Sequence, residues 1–458
     1  MTIVEELAEF AASRTFKDLS ESSVKQLKIR ILDSLGCGIG ALDAPPMKSL
    51  QAILSEFGGA PYCTLIGGGK AAPDRATYHN GALIRYLDFN DSYLAKNETC
   101  HPSDNLAPIL AATEYAGLSG QDLLVGLAVA YEVQCRLSEV APVRAKGFDH
   151  TVQGSYAVAA GASRALKLDP ERTANAIAIS GTALNALRVT RTGKLSNWKG
   201  LAYPFMASGA IQATFLAKDG VTGPLEVFEG NKGFMETISG PFKVDWHSEG
   251  LDLVNKTILK NYNAEIHSQS AISCMLKLRN DQGLTADDLD YAEVRIFDVA
   301  FNIIGGGEEG QKKELIETKE QADHSLPYIL AVALIDGKVM PEEYEAERIN
   351  SQDVQTLLRK IHIKSDKEFS AKFPEQMPCE IRVHTKSGKT LVESSGDYDG
   401  FFTRPFSWQE ASRKFEALTL HCIDADVRSQ IEKTVAELDA LDVSDLTIIL
   451  EKTKGKPD

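Results

Sequence analysis

The sequence predicts a mostly α-helical protein, in which both ends of the chain form one large all-helical domain and a smaller α+β domain is inserted between them. Two observations predict this arrangement. Apolar residues recur at helical spacing over about the first 260 residues and again after about residue 405. From about residue 285, short runs instead alternate apolar and polar residues, as strands do. We therefore expect the helical domain at 1–268 and 403–458, and the inserted domain at 269–402.

The first long helix is indicated by an apolar stripe. Apolar side chains stand at three- and four-residue steps across residues 24–35, which places them on one face of a helix. Ser20 or Ser22 can cap its first turn, and Gly36 with Gly38 can end it. The pattern predicts a helix with one buried face.

Further helices are indicated by composition and capping. Residues 123–137 are apolar nearly all round, which is typical of a helix buried in a bundle. Residues 169–171, Asp-Pro-Glu, supply a cap, a proline suited to the first helical position and an acid in the first turn. Residues 156–168 and 203–218 are rich in alanine, so they can pack closely against neighbouring helices. The helical period returns at residues 431–438.

The inserted region is expected to contain strands. Residues 294–297 and 361–363 alternate in polarity. Residues 381–392 alternate on both sides of Ser387-Gly388, which predicts a β-hairpin that turns there. A helix over about 325–335 separates the strands and is expected to stop at the Asp-Gly that follows it.

The composition excludes several classes of protein. A chain of 458 residues with 43% hydrophobic and 25% charged residues can bury a sizeable core, so extensive disorder is excluded. The net charge of −15 argues against a general nucleic-acid or membrane-surface binder, but an anionic substrate needs only a local cluster of cations. No apolar run approaches the ~18–20 residues of a membrane span. The N-terminus lacks the features of a signal peptide, so we expect a cytoplasmic protein.

The cysteines give no sign of a metal centre. There are seven, widely scattered, and no two stand in a C-x-x-C spacing. A zinc ribbon or an iron–sulfur ligand set is therefore not indicated, and reduced structural thiols are expected.

One candidate site lies in residues 85–93 and 101–105. The first segment places two acids, an amide and a hydroxyl within five positions, and the second begins with His101. Capping of helix ends explains one or two such residues. It does not explain a histidine beside them, so a functional site and a structural role remain alternatives here.

Three further segments carry polar groups. Residues 265–269, Glu-Ile-His-Ser-Gln, can form an acid–base couple or contribute metal ligands, or they can be an ordinary polar loop. Residues 323–325, Asp-His-Ser, favour a helix cap. Lys199 stands between Trp198 and Gly200, and by itself it is expected to be a solvated surface charge.

Taken together, these segments resemble the MmgE/PrpD family. The resemblance rests on residues 85–91, 101–105, 198–200, 222–224, 228–230, 265–271 and 323–328, which occur in the family's order. That family includes 2-methylcitrate dehydratases, cis-aconitate decarboxylases and an iminodisuccinate epimerase. The resemblance implies a large helical domain with a smaller α+β lid, usually in a homodimer.

The resemblance also implies the site residues, which would lie between the two domains. The catalytic residues would be Asp88, His101, Lys199 and His267. The substrate-binding residues would be Ser92, Glu265, Gln269 and Tyr328, with Arg404 as a further cation. Ser92 departs from the family, which usually has threonine there, but the hydroxyl is kept. Asp104 and Asn105 are similar to the dehydratase side of the family.

The activity expected from this resemblance is that of a 2-methylcitrate dehydratase-like lyase acting in propionate breakdown. Such an enzyme removes a proton next to a carboxylate and expels a hydroxyl, so it needs a base, an acid and cations. His101 and Asp88 are the candidates for base and partner in either order, and no metal or cofactor is expected. The alternatives are a cis-aconitate decarboxylase, an amino-diacid epimerase or a helical binding protein without catalysis.

Overall fold

A computed structural model describes residues 1–247, 250–307 and 316–454. Helices predominate over these residues and strands are few, so the predicted mostly α-helical class is confirmed. No helix in the described ranges has the length and apolar character needed to cross a membrane.

The chain divides into two compact units. Unit 1 comprises Met1–Thr190, Trp198–Ile258 and Phe406–Asp458, and unit 2 comprises Arg191–Asn197 and Leu259–Pro405. The segment around Glu265, expected in the helical domain, instead falls in unit 2. Backbone hydrogen bonds account for this, because Leu259 N donates to Gly400 O over 2.9 Å and Glu265 N donates to Asp323 O over 3.0 Å.

Unit 1 is almost entirely helical. Its helices are α1 (Ile3–Ser13), α2 (Glu21–Gly40), α3 (Pro45–Phe57), α4 (Pro73–Tyr86), α5 (Leu106–Tyr115), α6 (Gly120–Val140), α7 (Thr151–Ala165), α8 (Pro170–Ala183) and α9 (Trp198–Lys218), with α17 (Trp408–Thr419), α18 (Ala425–Ala436) and α19 (Val443–Leu450) from the C-terminal segment. Two short antiparallel hairpins complete it: β1 (Cys63–Thr64) with β2 (Lys70–Ala71), and β3 (Tyr93–Ala95) with β4 (Glu98–Cys100).

Small residues let the helices of unit 1 approach closely. A Cβ on Gly161 in α7 would lie 2.6 Å from the carbonyl oxygen of Gly126 in α6, so only glycine fits this crossing. A Cβ on Gly40 in α2 would lie 3.1 Å from the carbonyl oxygen of Leu418 in α17. The N-terminal and C-terminal segments of the chain therefore pack directly against each other in one unit.

Unit 2 combines a sheet with short helices. Its helices are α10 (Gln269–Gln282), α11 (Asp298–Ile304), α12 (Lys319–Ala322), α13 (Leu326–Asp336), α14 (Ala346–Ile349), α15 (Gln352–Leu357) and α16 (Lys367–Ser370). Its strands β5 (Leu289–Ile296), β6 (Ile361–Ser365), β7 (Cys379–Thr385) and β8 (Thr390–Ser395) lie in the order β6-β5-β7-β8. Strands β5 and β6 are parallel, and the other neighbours are antiparallel.

Most of the predicted local signals are confirmed. Ser20, Asp169 and Ser325 each accept a backbone N–H at the start of α2, α8 and α13. Strands β7 and β8 form the predicted hairpin, with Gly388 at φ 83° in its turn. The end of α2 differs from expectation, because the helix continues past Gly36 to Gly40.

Candidate active site

The first cluster of polar side chains is built around the residues that follow α4. We call it the Asp88 cluster, and it comprises Arg85, Asp88, Asn90, Ser92, His101, Asp104, His150 and Lys199. Asp88 is 4% exposed and has φ 55°, a left-handed conformation in which aspartate is one of the few tolerated residues. Its Oδ1 accepts from Arg85 Nη1, and its Oδ2 accepts from Lys199 Nζ over 2.9 Å. Two cations from different helices therefore hold one buried carboxylate.

Arg85 links Asp88 to the segment after His101. Its Nε lies 3.5 Å from Asp104 Oδ2, and its Nη1 also donates to Asn90 Oδ1 over 3.3 Å. Asn90 Nδ2 in turn donates to Asp104 Oδ1 over 2.8 Å and to Ser103 Oγ over 2.9 Å. Burial alone would lower the pKa of Arg85, but Asp88 and Asp104 outweigh it and raise that pKa. Arg85 therefore stays charged.

His101 lies beside this network with its tautomer fixed by the backbone. Its Nδ1–H donates to the carbonyl oxygen of Asp91 over 2.8 Å, and Ser92 Oγ lies 3.1 Å from the same nitrogen. A carbonyl oxygen can only accept, so Nδ1 carries a proton and Nε2 carries the lone pair of the neutral ring. The structure thus places Ser92, a predicted substrate-binding residue, beside His101, and His101 can act as a base through Nε2.

Sequence reasoning missed a second histidine in the cluster. His150 is 3% exposed at the N-terminal cap of α7, and its ring centroid lies 5.3 Å from that of His101. Tyr203 stacks on it at 6.2 Å and donates to Asn105 Oδ1 over 3.0 Å. The signal available in the sequence was a histidine directly before an alanine-rich helix.

The loop that carries Asp88 is anchored by the C-terminal segment. Lys414 in α17 donates to the carbonyl oxygen of Phe89 over 2.7 Å, and its ammonium lies 3.7 Å from the centroid of that ring. The same ammonium lies 2.7 Å from Asp33 Oδ1 in α2. Through Lys414, helices α2 and α17 therefore fix the backbone of the loop at Phe89, next to Asp88.

The expectation that Lys199, taken by itself, is a solvated surface charge is wrong. Lys199 is 5% exposed and bound to Asp88, whereas its neighbour Trp198 is 43% exposed and packs on Phe205 at 5.5 Å. The lysine is therefore a buried cation within a polar network rather than a solvated surface charge.

The second cluster, which we call the Glu265 cluster, lies in unit 2. His267 Nδ1–H donates to Glu265 Oε1 over 2.7 Å, and the backbone N–H of His267 donates to Glu265 Oε2 over 2.8 Å. Burial would raise the pKa of the Glu265 carboxyl, but His267 and neighbouring cations outweigh it and lower that pKa to about 2. Glu265 is therefore a carboxylate that orients the imidazole.

The other ring nitrogen of His267 is set in apolar surroundings. His267 is 1% exposed, and Phe297 and Phe373 lie 5.6 and 5.7 Å from its ring centroid. Within the described ranges, its buried Nε2 has no hydrogen-bond partner. A buried polar atom of this kind requires a structural or functional explanation, and contact with a ligand is one such explanation.

The Asp323-His324-Ser325 segment combines two roles. Ser325 caps α13, as predicted. Asp323 is fully buried and accepts from His324 Nδ1 over 2.6 Å and from Lys319 Nζ over 2.7 Å. The segment therefore also holds an acid, an imidazole and a cation together in unit 2.

Three of the expected substrate-binding residues use their polar atoms elsewhere. Gln269 Oε1 accepts the backbone N–H groups of Asn261 and Tyr262 over 2.9 and 3.0 Å, which braces that loop. Tyr328 is fully buried, and its hydroxyl donates to the carbonyl oxygen of Glu343. Arg404 is half exposed and pairs with Asp397 and Asp399. These contacts support the fold locally.

Comparisons with known proteins identify relatives along most of the chain. Residues 5–247 match the family described as MmgE/PrpD N-terminal domain, and residues 262–440 match MmgE/PrpD C-terminal domain. The 2-methylcitrate dehydratase of Salmonella typhimurium is 28% identical over 393 residues, covering 79% of this chain and 79% of that protein. A mitochondrial 2-methylcitrate dehydratase of Yarrowia lipolytica is 28% identical over 423 residues, covering 86% and 79%.

A relative with a different activity aligns over more of the chain. The cis-aconitate decarboxylase of Mus musculus is 24% identical over an alignment 485 positions long, which covers 99% of this chain and 94% of that protein.

Proposed function

The chain belongs to the MmgE/PrpD family, and from that premise we propose that it is a hydro-lyase that removes water from 2-methylcitrate or a closely related tricarboxylate. The observation that carries the proposal is the Asp88 cluster. It combines a buried imidazole of fixed tautomer, His101, with a buried ammonium, Lys199, in one unit.

The chemistry needs each of these groups. A base takes the carbon-bound proton, the electron pair forms the carbon–carbon double bond, and the hydroxyl leaves as water after an acid protonates it. His101 Nε2 is suited to the base, because Nδ1 already donates to the backbone. Lys199 supplies positive charge for the carboxylate that gains negative charge as the proton leaves. His150, beside His101, is the candidate for proton delivery to the hydroxyl.

We propose that the Glu265 cluster serves the same reaction. Glu265 fixes His267 so that Nε2 is the atom available for a proton or a substrate oxygen. The aromatic rings beside it keep water away, which strengthens any hydrogen bond that nitrogen makes. Gln269, Tyr328 and Arg404 stay predicted substrate contacts, to be tested by substitution.

A second candidate function is decarboxylation of cis-aconitate. It is favoured by the alignment of a cis-aconitate decarboxylase over 99% of the chain. Both reactions stabilise charge next to a carboxylate, so the same cation and imidazoles serve either.

The test is to incubate the purified protein separately with 2-methylcitrate, citrate and cis-aconitate and to follow the products by mass spectrometry and NMR. Dehydration yields a product lighter by one water, and decarboxylation one lighter by carbon dioxide. Loss of water from 2-methylcitrate supports the proposal. Loss of carbon dioxide from cis-aconitate, or turnover of none of the three, rejects it.

Three finer features belong to the same proposal. They are a homodimer, a cytoplasmic location and a role in propionate breakdown. Exposed aromatic side chains on α9 support self-association, since Trp198 and Phe205 are 43% and 55% exposed, and Phe205 contacts both Trp198 and the half-buried Tyr78 of α4. Light scattering of the native protein and of Phe205→Ser tests the dimer.

A further inference from the structure

Arg85 is a buried cation at the start of the motif of residues 85–91, and no role was assigned to it from the sequence. It is 2% exposed in the last turn of α4, and it contacts Asp88, Asn90 and Asp104. Two carboxylates and one amide oxygen therefore share a single guanidinium. The planar guanidinium offers five N–H donors in a fixed fork, which suits it to several acceptors at once.

The charges around Lys199 depend on this residue. In the native protein, Arg85 pairs with Asp88 and Asp104, and Lys199 pairs with Asp88. Two positive charges thus balance two negative charges. Without Arg85, Asp104 would lose its ion pair with the guanidinium, and Asp88 would keep its ion pair with Lys199. Its ammonium would then be bound more tightly to Asp88, and an incoming anion would meet a net negative charge.

We propose that Arg85 is a positioning residue that offsets the Asp88 and Asp104 carboxylates, so that Lys199 can share its ammonium between Asp88 and a carboxylate of the substrate. The inference rests on the proposed function for the identity of the substrate. It concerns anion binding, however, and is tested by binding as well as by turnover.

The geometry supports a shared ammonium. Lys199 Nζ donates to Asp88 Oδ2, while Arg85 Nη1 occupies Oδ1 of the same carboxylate. The carboxylate therefore keeps one charged partner when Lys199 turns part of its interaction to a substrate. The left-handed backbone at Asp88, φ 55°, is a conformation that persists where surrounding contacts determine it, and the two cations provide those contacts.

The test measures binding of propane-1,2,3-tricarboxylate, which has no hydroxyl to lose, by calorimetry, together with kcat and KM on 2-methylcitrate. We expect Arg85→Met to weaken binding about 10- to 100-fold and to raise KM. Arg85→Met combined with Asp104→Asn should recover much of that loss, because it restores the balance of charge. Arg85→Lys keeps the charge but loses the planar fork, so it should bind the tricarboxylate more tightly than Arg85→Met and less tightly than the native protein.

Arg136→Met is the matched control. Arg136 is also buried in unit 1, where it pairs with Glu132, so its loss should lower thermal stability without changing binding. If Arg85→Met does not fold, Asp104→Asn alone carries the test and should bind the tricarboxylate at least as tightly as the native protein.

Several results would overturn the proposal. These are normal binding by Arg85→Met, no recovery in the double variant, weaker binding by Asp104→Asn, or no binding of the tricarboxylate by the native protein. A native protein that binds the tricarboxylate but dehydrates neither 2-methylcitrate nor citrate would reject the proposed function alone. The role of Arg85 would then still be decided by the binding series.

Discussion

The Asp88 cluster and the Glu265 cluster both orient an imidazole, but they are built differently. In the Asp88 cluster, Lys199 and Asp88 are 111 residues apart in the chain, and their contact depends on how α4 and α9 pack. In the Glu265 cluster, Glu265 and His267 are two residues apart, and their contact is made within a single turn. The first arrangement is a product of tertiary structure, and the second is local.

The two clusters also differ in how their polar atoms are satisfied. Charged groups balance one another in the Asp88 cluster, where Asp88 has a cation on each oxygen. In the Glu265 cluster one carboxylate fixes one imidazole, and the remaining nitrogen lies among aromatic rings. The difference indicates that substitutions in the Asp88 cluster disturb several partners, whereas those in the Glu265 cluster act on one group.

The largest effect is expected at His101. His101→Ala should lower kcat about 10²–10⁴-fold with the fold intact, because it removes the base. The control is His79→Ala, which removes another buried histidine of unit 1, bound to Asn80, and should cost stability while leaving kcat unchanged. Near-normal turnover with a lowered Tm in His101→Ala would assign that residue a structural role.

The second-largest effect is expected at Lys199. Lys199→Met keeps the length of the side chain and removes the charge, so kcat and kcat/KM should both fall, by about 10²-fold. Lys218→Met, at the exposed end of the same helix, should leave both constants unchanged. A rise in KM alone would mean that Lys199 anchors a carboxylate remote from the reacting carbon.

Glu265 gives a pH-dependent prediction for the local cluster. Its pKa is lowered from 4.5 to about 2, so the folded state gains stability above pH 4.5 and loses it as the pH falls toward 2. Glu265→Gln should lower the free energy of unfolding by about 3 kcal/mol at neutral pH. Denaturant unfolding at several pH values should show that the difference in free energy of unfolding between the native protein and Glu265→Gln becomes smaller as the pH falls from 4.5 to 2. A difference independent of pH would contradict this assignment.

The smallest effect is expected at Arg404. Its side chain is half exposed and paired with Asp397 and Asp399, and exposed ion pairs contribute about 0–1 kcal/mol. Arg404→Gln should therefore change Tm and KM little. An increase of KM of about tenfold or more would show that Arg404 binds substrate, as expected of a local cation for its carboxylates.

The local features were predictable from sequence because their causes are local. The caps of α8 and α13 and the turn at Gly388 follow from residues a few positions apart. The end of α2 was not predictable, because Gly36 and Gly40 serve the close approach of α17 rather than the end of the helix.

The same distinction holds for the candidate site. The Glu265–His267 couple was visible as an E-x-H pattern, but the burial of Lys199 was not, since its partner Asp88 is distant in the chain. His150 was missed for the same reason, because its value lies in its contact with His101. The family resemblance predicted that Lys199 belongs to the site, but its burial and its contact with Asp88 could be seen only in the tertiary structure.

The most direct measurement is the rate at which the protein eliminates water from 2-methylcitrate after exhaustive chelation in air. In this account the chain's own imidazoles and ammonium carry the reaction, and the carboxylates of the Asp88 cluster already have cationic partners. The chelated native protein should keep its full rate, while the chelated His101→Ala variant should be slower by about 10²–10⁴-fold. Loss of the native rate on chelation, with recovery on adding one divalent ion, would contradict the account.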